Sequence, residues 1–201
     1  MHLQKDQIKP AAQILARAFD DDEFFRKLVP DQQTRFRKAT HFFAFTIKLG
    51  LRYGEVYTTS PNLEGITIWM PPESAYISLW RAIRCGAISL IFRVGFGLMR
   101  KMNAVDSYGE RVRKRLAPQK HWYLALLGVD PDHQGKGHAG AMMKPMLKRI
   151  DDEGLPCYLE TEGEKNISMY QHFGFKHLEH ISVPDHDIEM NAMFKKHSSA
   201  L

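Results

Sequence analysis

The feature that most constrains this chain is the glycine-rich stretch Gln134-Gly135-Lys136-Gly137-His138-Ala139-Gly140. An apolar, strand-like run over residues 122–129 precedes it, and a helix-like run over residues 141–150 follows. A strand that turns through glycines into a helix leaves the first helical N–H groups without partners. It aims them, with the positive end of the helix dipole, at one spot. Glycine there lets the main chain approach an anion closely and take angles that other residues resist. Residues 134–140 therefore read as a cradle for a phosphate-bearing ligand.

Three phosphate loops compete for this stretch. A Walker loop ends in Gly-Lys-Ser/Thr, whereas Lys136 is followed by Gly137 and His138. A dinucleotide fingerprint, Gly-x-Gly-x-x-Gly, matches Gly135, Gly137 and Gly140. Glu160 stands near the offset expected of its acidic residue, so spacing alone does not exclude it. The third pattern, Gln/Arg-x-x-Gly-x-Gly/Ala, is met at every fixed position by Gln134 to Ala139. Downstream, Leu159-Glu160-Thr161 ends a strand-like run over residues 155–161. Asn166, Tyr170 and Gly174-Phe175 follow at set spacing. On these residues the chain resembles the GNAT acyltransferase superfamily, over roughly residues 122–195, about the last two fifths of its length.

Composition bounds the remainder. A length of 201 residues suits one domain with a sizeable core, and 44% hydrophobic with 25% charged residues is ordinary for a globule. The net charge of +5 suits an anionic ligand. The densest basic run, residues 111–115, lacks interleaved aromatics and reads as a solvated helix face, so no nucleic-acid partner is expected. Two cysteines, Cys85 and Cys157, build no disulfide framework and suit the cytoplasm. The start lacks an apolar signal core. The most apolar stretch, residues 82–99, is interrupted by Arg84 and Arg93. It falls short of a membrane span and reads as a buried or cleft-lining helix, so no membrane partner is expected. A homodimer is compatible with the sequence but not specified by it.

Periodicity places a short first strand at residues 2–4, helices at 8–19 and 34–52, and strands at 55–59 and 65–70. Asp20-Asp21-Asp22 reads as loop punctuation. Residues 74–116 read as helical, with Trp80, Ile83, Ile88, Leu90, Phe92 and Phe96 either as core or as a lid over the acceptor. Strands at 121–129 and 155–161, a helix at 166–173 and strands at 175–183 and 187–194 complete the chain. The fold class is α/β, with a helical insertion at about 74–118 between the third and fourth strands and a cofactor-binding half at about 121–195. Ten histidines invite a metal reading. His177 and His180 should fall on opposite faces of a strand, and no ligand spacing is completed, so no metal is expected.

The resemblance implies a single GNAT domain over residues 1–201. Its mixed, mostly antiparallel central sheet would be flanked by helices and splayed between the fourth and fifth strands. It implies acetyl transfer from acetyl-CoA, as co-substrate, to the amine of a small molecule by direct attack in a ternary complex. The N–H groups of Gln134, Gly135, Lys136, Gly137, His138, Ala139 and Gly140 would take the pyrophosphate. The backbones of Leu127 and Val129 would pair with pantetheine and face the developing oxyanion. Gly128 between them suits either a bulge or close packing. Asn166 would touch the pantetheine arm or cap a helix. Tyr170 would be the acid toward the leaving thiolate. A thiol near 8.5 and a phenol near 10 make full proton transfer slightly uphill, so a hydrogen bond to the thiolate can suffice. Glu160 is preferred as the base that frees the amine, ahead of Glu162, Glu73 and His121. Acetylation of a protein lysine or N-terminus, and a non-catalytic acyl-CoA-binding module, are the alternatives.

Overall fold

The computed structural model describes residues 1–197. Helix α1 (Ile8–Ala18) buries Ala11, Ala12, Leu15 and Ala16 on one face. A short helix, α2 (Glu23–Leu28), follows, and α3 (Gln32–Tyr53) buries Ala39, Phe43 and Ile47 at helical spacing. Asp22 and Asp31 cap α2 and α3, accepting N–H bonds from Phe25 at 3.3 Å and Gln33 at 3.1 Å. Strands β1 (Glu55–Thr58) and β2 (Gly65–Met70) pair antiparallel, and all six residues of β2 are buried.

The insertion comprises three helices: α4 (Leu79–Arg84), α5 (Ala87–Val94) and α6 (Phe96–Leu116). Its breaks fall at Gly86 and Gly95, whose φ values of 101° and 94° other residues resist. Strand β3 (Trp122–Val129) leads through one turn of 3-10 helix (Pro131–His133) to α7 (His138–Asp152). Strand β4 (Cys157–Thr161), helix α8 (Glu164–His172) and strands β5 (Lys176–Val183) and β6 (Ile188–Lys195) close the chain.

The sheet runs β1-β2-β3-β4-β6-β5, antiparallel at every junction except β3–β4. That parallel pair is joined only at Trp122↔Cys157 and Tyr123↔Tyr158, and the two strands then part. On one face, Trp122, Leu124, Leu159 and Tyr170 pack with Met143, Met146 and Leu147 of α7. On the other, Tyr158, Ala192 and Phe194 pack with Met102, Val105 and Val112 of α6.

The structure corrects four expectations. Residues 2–4 form no strand, only a single bridge from His2 to Tyr57, so the splayed fourth and fifth strands are β3 and β4. Asp22, expected as loop punctuation, is the N-cap of helix α2. The helix's signal was the Asp22 cap followed by Phe24, Phe25 and Leu28. Trp80, Ile88, Phe92 and Phe96 are exposed, not core, and so is Leu79 beside them. His177 and His180 both reach Asn191 Oδ1, at 2.9 and 3.2 Å, because a bulge between His177 and Glu179 breaks the alternation of faces. No three His, Cys, Asp or Glu side chains among the described residues group as a metal site would need.

Candidate active site

The cradle is built as its glycines require. Gly135 and Gly137 take φ values of 74° and 83°, with no atom within 4 Å of where a Cβ would stand. Gly137 is the N-cap of α7, and the first helical bond runs from Ala141 N–H to Gly137 O at 3.0 Å. The N–H groups of His138, Ala139 and Gly140 therefore lie beyond that ladder, at the positive end of α7. The Gln134 side chain donates to Val129 O at 3.2 Å, tying the loop to the end of β3. Lys136 folds back, its Nζ donating to Asp132 O at 2.8 Å. Asp130 is buried, accepts from Asp132 N–H at 3.1 Å and pairs with Arg17 of α1.

Backbone parity fixes what β3 offers to the gap. Asp130 N–H bonds Glu64 O toward β2, so by alternation Gly128 also faces β2. Leu127 and Val129 then face the open edge. At the other end, Trp122 N–H bonds Pro156 O toward β4. Residues 122 and 127 share an edge only if the parity changes between them. The irregular register does this: Ile68 faces Leu126 and Trp69 faces Leu124, leaving Ala125 as the extra residue. The bulge is thus at Ala125, not Gly128. Gly128 serves close packing, since a Cβ there would stand 2.5 Å from Leu15 Cδ2.

Tyr170 and Glu160 lie on opposite faces of β4. Tyr170 is buried with Phe175 edge-on at 5.8 Å. Burial, and then the Cys157 thiol beside it, holds its phenol well above the ordinary tyrosine range. Glu160 sits in a polar cluster with Arg113, Tyr123, Tyr158 and His121. Its Oε2 is 3.8 Å from Arg113 Nη1, and the two side chains are only 10% and 6% exposed. Burial raises the Glu160 carboxyl above the usual carboxylate range. Arg113 and the phenols of Tyr123 and Tyr158 oppose that rise.

Arg113 lies 3.9 Å from the Tyr123 ring centre and 4.9 Å from that of Tyr76, and donates to Ala75 O at 2.9 Å. Four buried polar atoms here have no hydrogen-bond partner within 3.5 Å: Glu160 Oε1, Tyr158 OH, His121 Nε2 and Arg113 Nε. His121 Nδ1 lies 2.7 Å from Gln119 O, which can only accept, so in the neutral ring Nε2 carries the lone pair. Burial also lowers the His121 pKa, which keeps that ring neutral.

Arg113 was missed inside the basic run read as solvated. Only Arg111, Lys114 and Arg115 of its cations are exposed. Met102, Val105, Gly109 and Arg113 recur at helical spacing, which puts position 113 on the buried face of α6. Asn166 is not the N-cap of α8, which is Gly163. Its side chain donates to Glu162 O at 2.8 Å. Glu73 is exposed. Glu162 pairs with Asp22, and burial together with that neighbouring carboxylate pushes it up to about 9.

An α/β sheet whose one parallel pair opens beside a helix-capped anion cradle is the architecture of acetyl-coenzyme A-dependent acyltransferases. The model of the acetyltransferase (GNAT) family matches residues 55–175. The chain belongs to that family and is an N-acetyltransferase by it. It is 29% identical over 178 residues to an uncharacterized N-acetyltransferase of Schizosaccharomyces pombe, covering 85% of this chain and 71% of that protein. Among solved structures, "histone acetyltransferase HPA2 and related acetyltransferase" from Corynebacterium glutamicum superposes with a TM-score of 0.67 at 16% identity, over 100% of this chain and 96% of that one. Arylalkylamine N-acetyltransferase 2 from Aedes aegypti gives 0.59 at 13% identity, over 98% of each chain. At these identities the two structures speak to the fold alone.

Proposed function

We propose that this protein transfers the acetyl group of acetyl-CoA to the amine of a small molecule by direct attack within a ternary complex. The observation that carries this reading is the β3–β4 gap: an edge at Leu127 and Val129 that no strand covers runs into the α7 cradle, and a buried carboxylate lies on the far face. Residues 134–140 hold the pyrophosphate through backbone N–H groups. The open backbone groups of Leu127 and Val129 take the pantetheine arm, with an N–H toward the carbonyl oxygen that gains charge. Asn166 completes the cofactor side.

The acceptor enters on the Glu160 face. An alkylammonium must lose a proton before its nitrogen attacks the thioester carbon. Glu160, raised above an ordinary carboxylate, is the better proton acceptor for it. His121 Nε2 and Tyr158 OH are placed to orient the amine or a water between it and Glu160. As the C–S bond breaks, Tyr170 O–H stabilises the thiolate by a hydrogen bond. Its raised pKa favours that over full proton transfer. An enclosed aromatic and charged cluster suits a small acceptor better than an extended peptide. Free, buried Cys85 and Cys157 fit a reducing compartment, and we assign the cytoplasm.

The motifs over residues 128–137, 159–161 and 170–175 resemble those of puromycin N-acetyltransferase, so puromycin belongs in the test. The assay is thiol release from acetyl-CoA across puromycin, polyamines, arylalkylamines and lysine peptides. Release with one small-amine class is the expected result. Turnover confined to peptides, or binding of acetyl-CoA with no turnover on any amine, overturns the reading.

A further inference from the structure

The insertion presents a surface that the proposed reaction does not use. Leu79, Trp80, Ile88, Phe92 and Phe96 are 75%, 75%, 54%, 86% and 72% exposed. They fall on three consecutive helices, with α5 packed against α4, α6 and α3. Single exposed apolar residues are ordinary, but five large ones on adjoining helices form a patch.

The charge around the patch has one sign. Residues 74–105 contain no Asp or Glu and five cations: Arg81, Arg84, Arg93, Arg100 and Lys101. Helix α3 also has no acidic residue and adds Arg37, Lys38, Lys48 and Arg52. These cations border the patch. Cys85 at the end of α4 lies 3.8 Å from Lys48 O and feels Arg52, and Arg93 of α5 stands with Arg37 around His41. Among the described residues none of these nine cations has a carboxylate oxygen within 4 Å, and only Lys38 feels one from farther off, Asp31. Exposed Trp, Phe, Leu and Ile rimmed by unpaired Arg and Lys match the chemistry of a helix lying in the headgroup region of an anionic bilayer. A second copy of the chain fits less well, since a two-fold contact would set these cations against themselves.

We propose that α4, α5 and the start of α6 dock on an anionic phospholipid surface. No helix of the described residues is long and apolar enough to cross a membrane, and docking needs none. The eight residues of α5 span about 12 Å and would lie in the interface plane, burying Phe92 while Arg93 reaches the headgroups.

Trp80 supplies a built-in reporter, because Trp69 and Trp122 are 0% and 3% exposed. Its emission is followed while protein is mixed with phosphatidylcholine vesicles, alone or containing phosphatidylglycerol, with sedimentation read in parallel. A blue shift, quenching by brominated acyl chains and co-sedimentation are expected only with the anionic vesicles, and all should fade at high salt. Arg93→Gln should weaken partitioning about fivefold. A Phe92→Ser, Phe96→Ser double variant should stay in the supernatant while melting and turning over like the wild type. Unchanged Trp80 emission with protein left in the supernatant at low salt overturns the proposal. So does a blue shift that grows with protein concentration in the absence of vesicles, which would give the patch to a second copy.

Discussion

Glu162→Gln should make the protein more stable at neutral pH. Glu162 follows β4, and its carboxyl meets that of Asp22, whose other duty is to cap α2. Burial penalises the charged form, and the neighbouring Asp22 carboxylate adds to that penalty, so Glu162 keeps its proton up to about 9. In the unfolded chain a glutamate releases it near 4.5. The native state therefore binds a proton that the unfolded state lacks. Stability must then fall as pH rises from about 4.5 to about 9, by roughly 1.4 kcal/mol per pH unit. By pH 7 the loss amounts to about 3 kcal/mol. Glutamine keeps the shape and gives Asp22 a permanent N–H donor, so it removes that dependence. Urea unfolding at pH 5, 6, 7 and 8 measures it. Near pH 5 the two proteins should be nearly equal in stability. At pH 7 the variant should lead by about 3 kcal/mol, roughly 6–12 °C in melting temperature. A variant no more stable at pH 7, or one whose stability still falls in parallel with wild type, would refute the shared-proton argument.

Three further outcomes follow from the site and its packing. Tyr170→Phe should lower kcat on the best amine about 100-fold while leaving acetyl-CoA affinity, measured by calorimetry, nearly unchanged. The pH–rate profile should show an acidic limb above the ordinary carboxylate range, with activity rising as Glu160 ionises. Glu160→Gln should remove that limb along with most of the turnover. Gly128→Ala should cost about 2 kcal/mol in a urea melt, because its methyl meets Leu15 Cδ2 at 2.5 Å, with no specific effect on acetyl-CoA binding.

What could be read from the sequence was local. The strand, glycine turn and helix at residues 122–150 are fixed by neighbours in the chain, so all three elements were legible, with the helix starting three residues earlier than expected, at His138. The open edge at Leu127 and Val129 depends on the bulge at Ala125 and the register against β2, neither of which the sequence shows. The insertion misled because hydropathy records how apolar a residue is, not which way it faces. Phe92 is 86% exposed while Leu90, two positions away, is buried. Arg113 misled in the opposite sense, a charge in a basic run that turns inward. The Asp22–Glu162 contact joins residues far apart in sequence and left no local trace.

The β3–β4 junction has a mechanical consequence. Two half-sheets, β1-β2-β3 and β4-β6-β5, meet as strands only through the pairs Trp122↔Cys157 and Tyr123↔Tyr158. A pantetheine arm lying along Leu127 and Val129 would lengthen that seam with main-chain bonds that the polypeptide does not supply. The co-substrate would then behave as a removable strand. Its arrival should stiffen one half-sheet against the other, slow amide exchange along β3 and β4 together, and set the distance between Glu160 on one face and Tyr170 on the other.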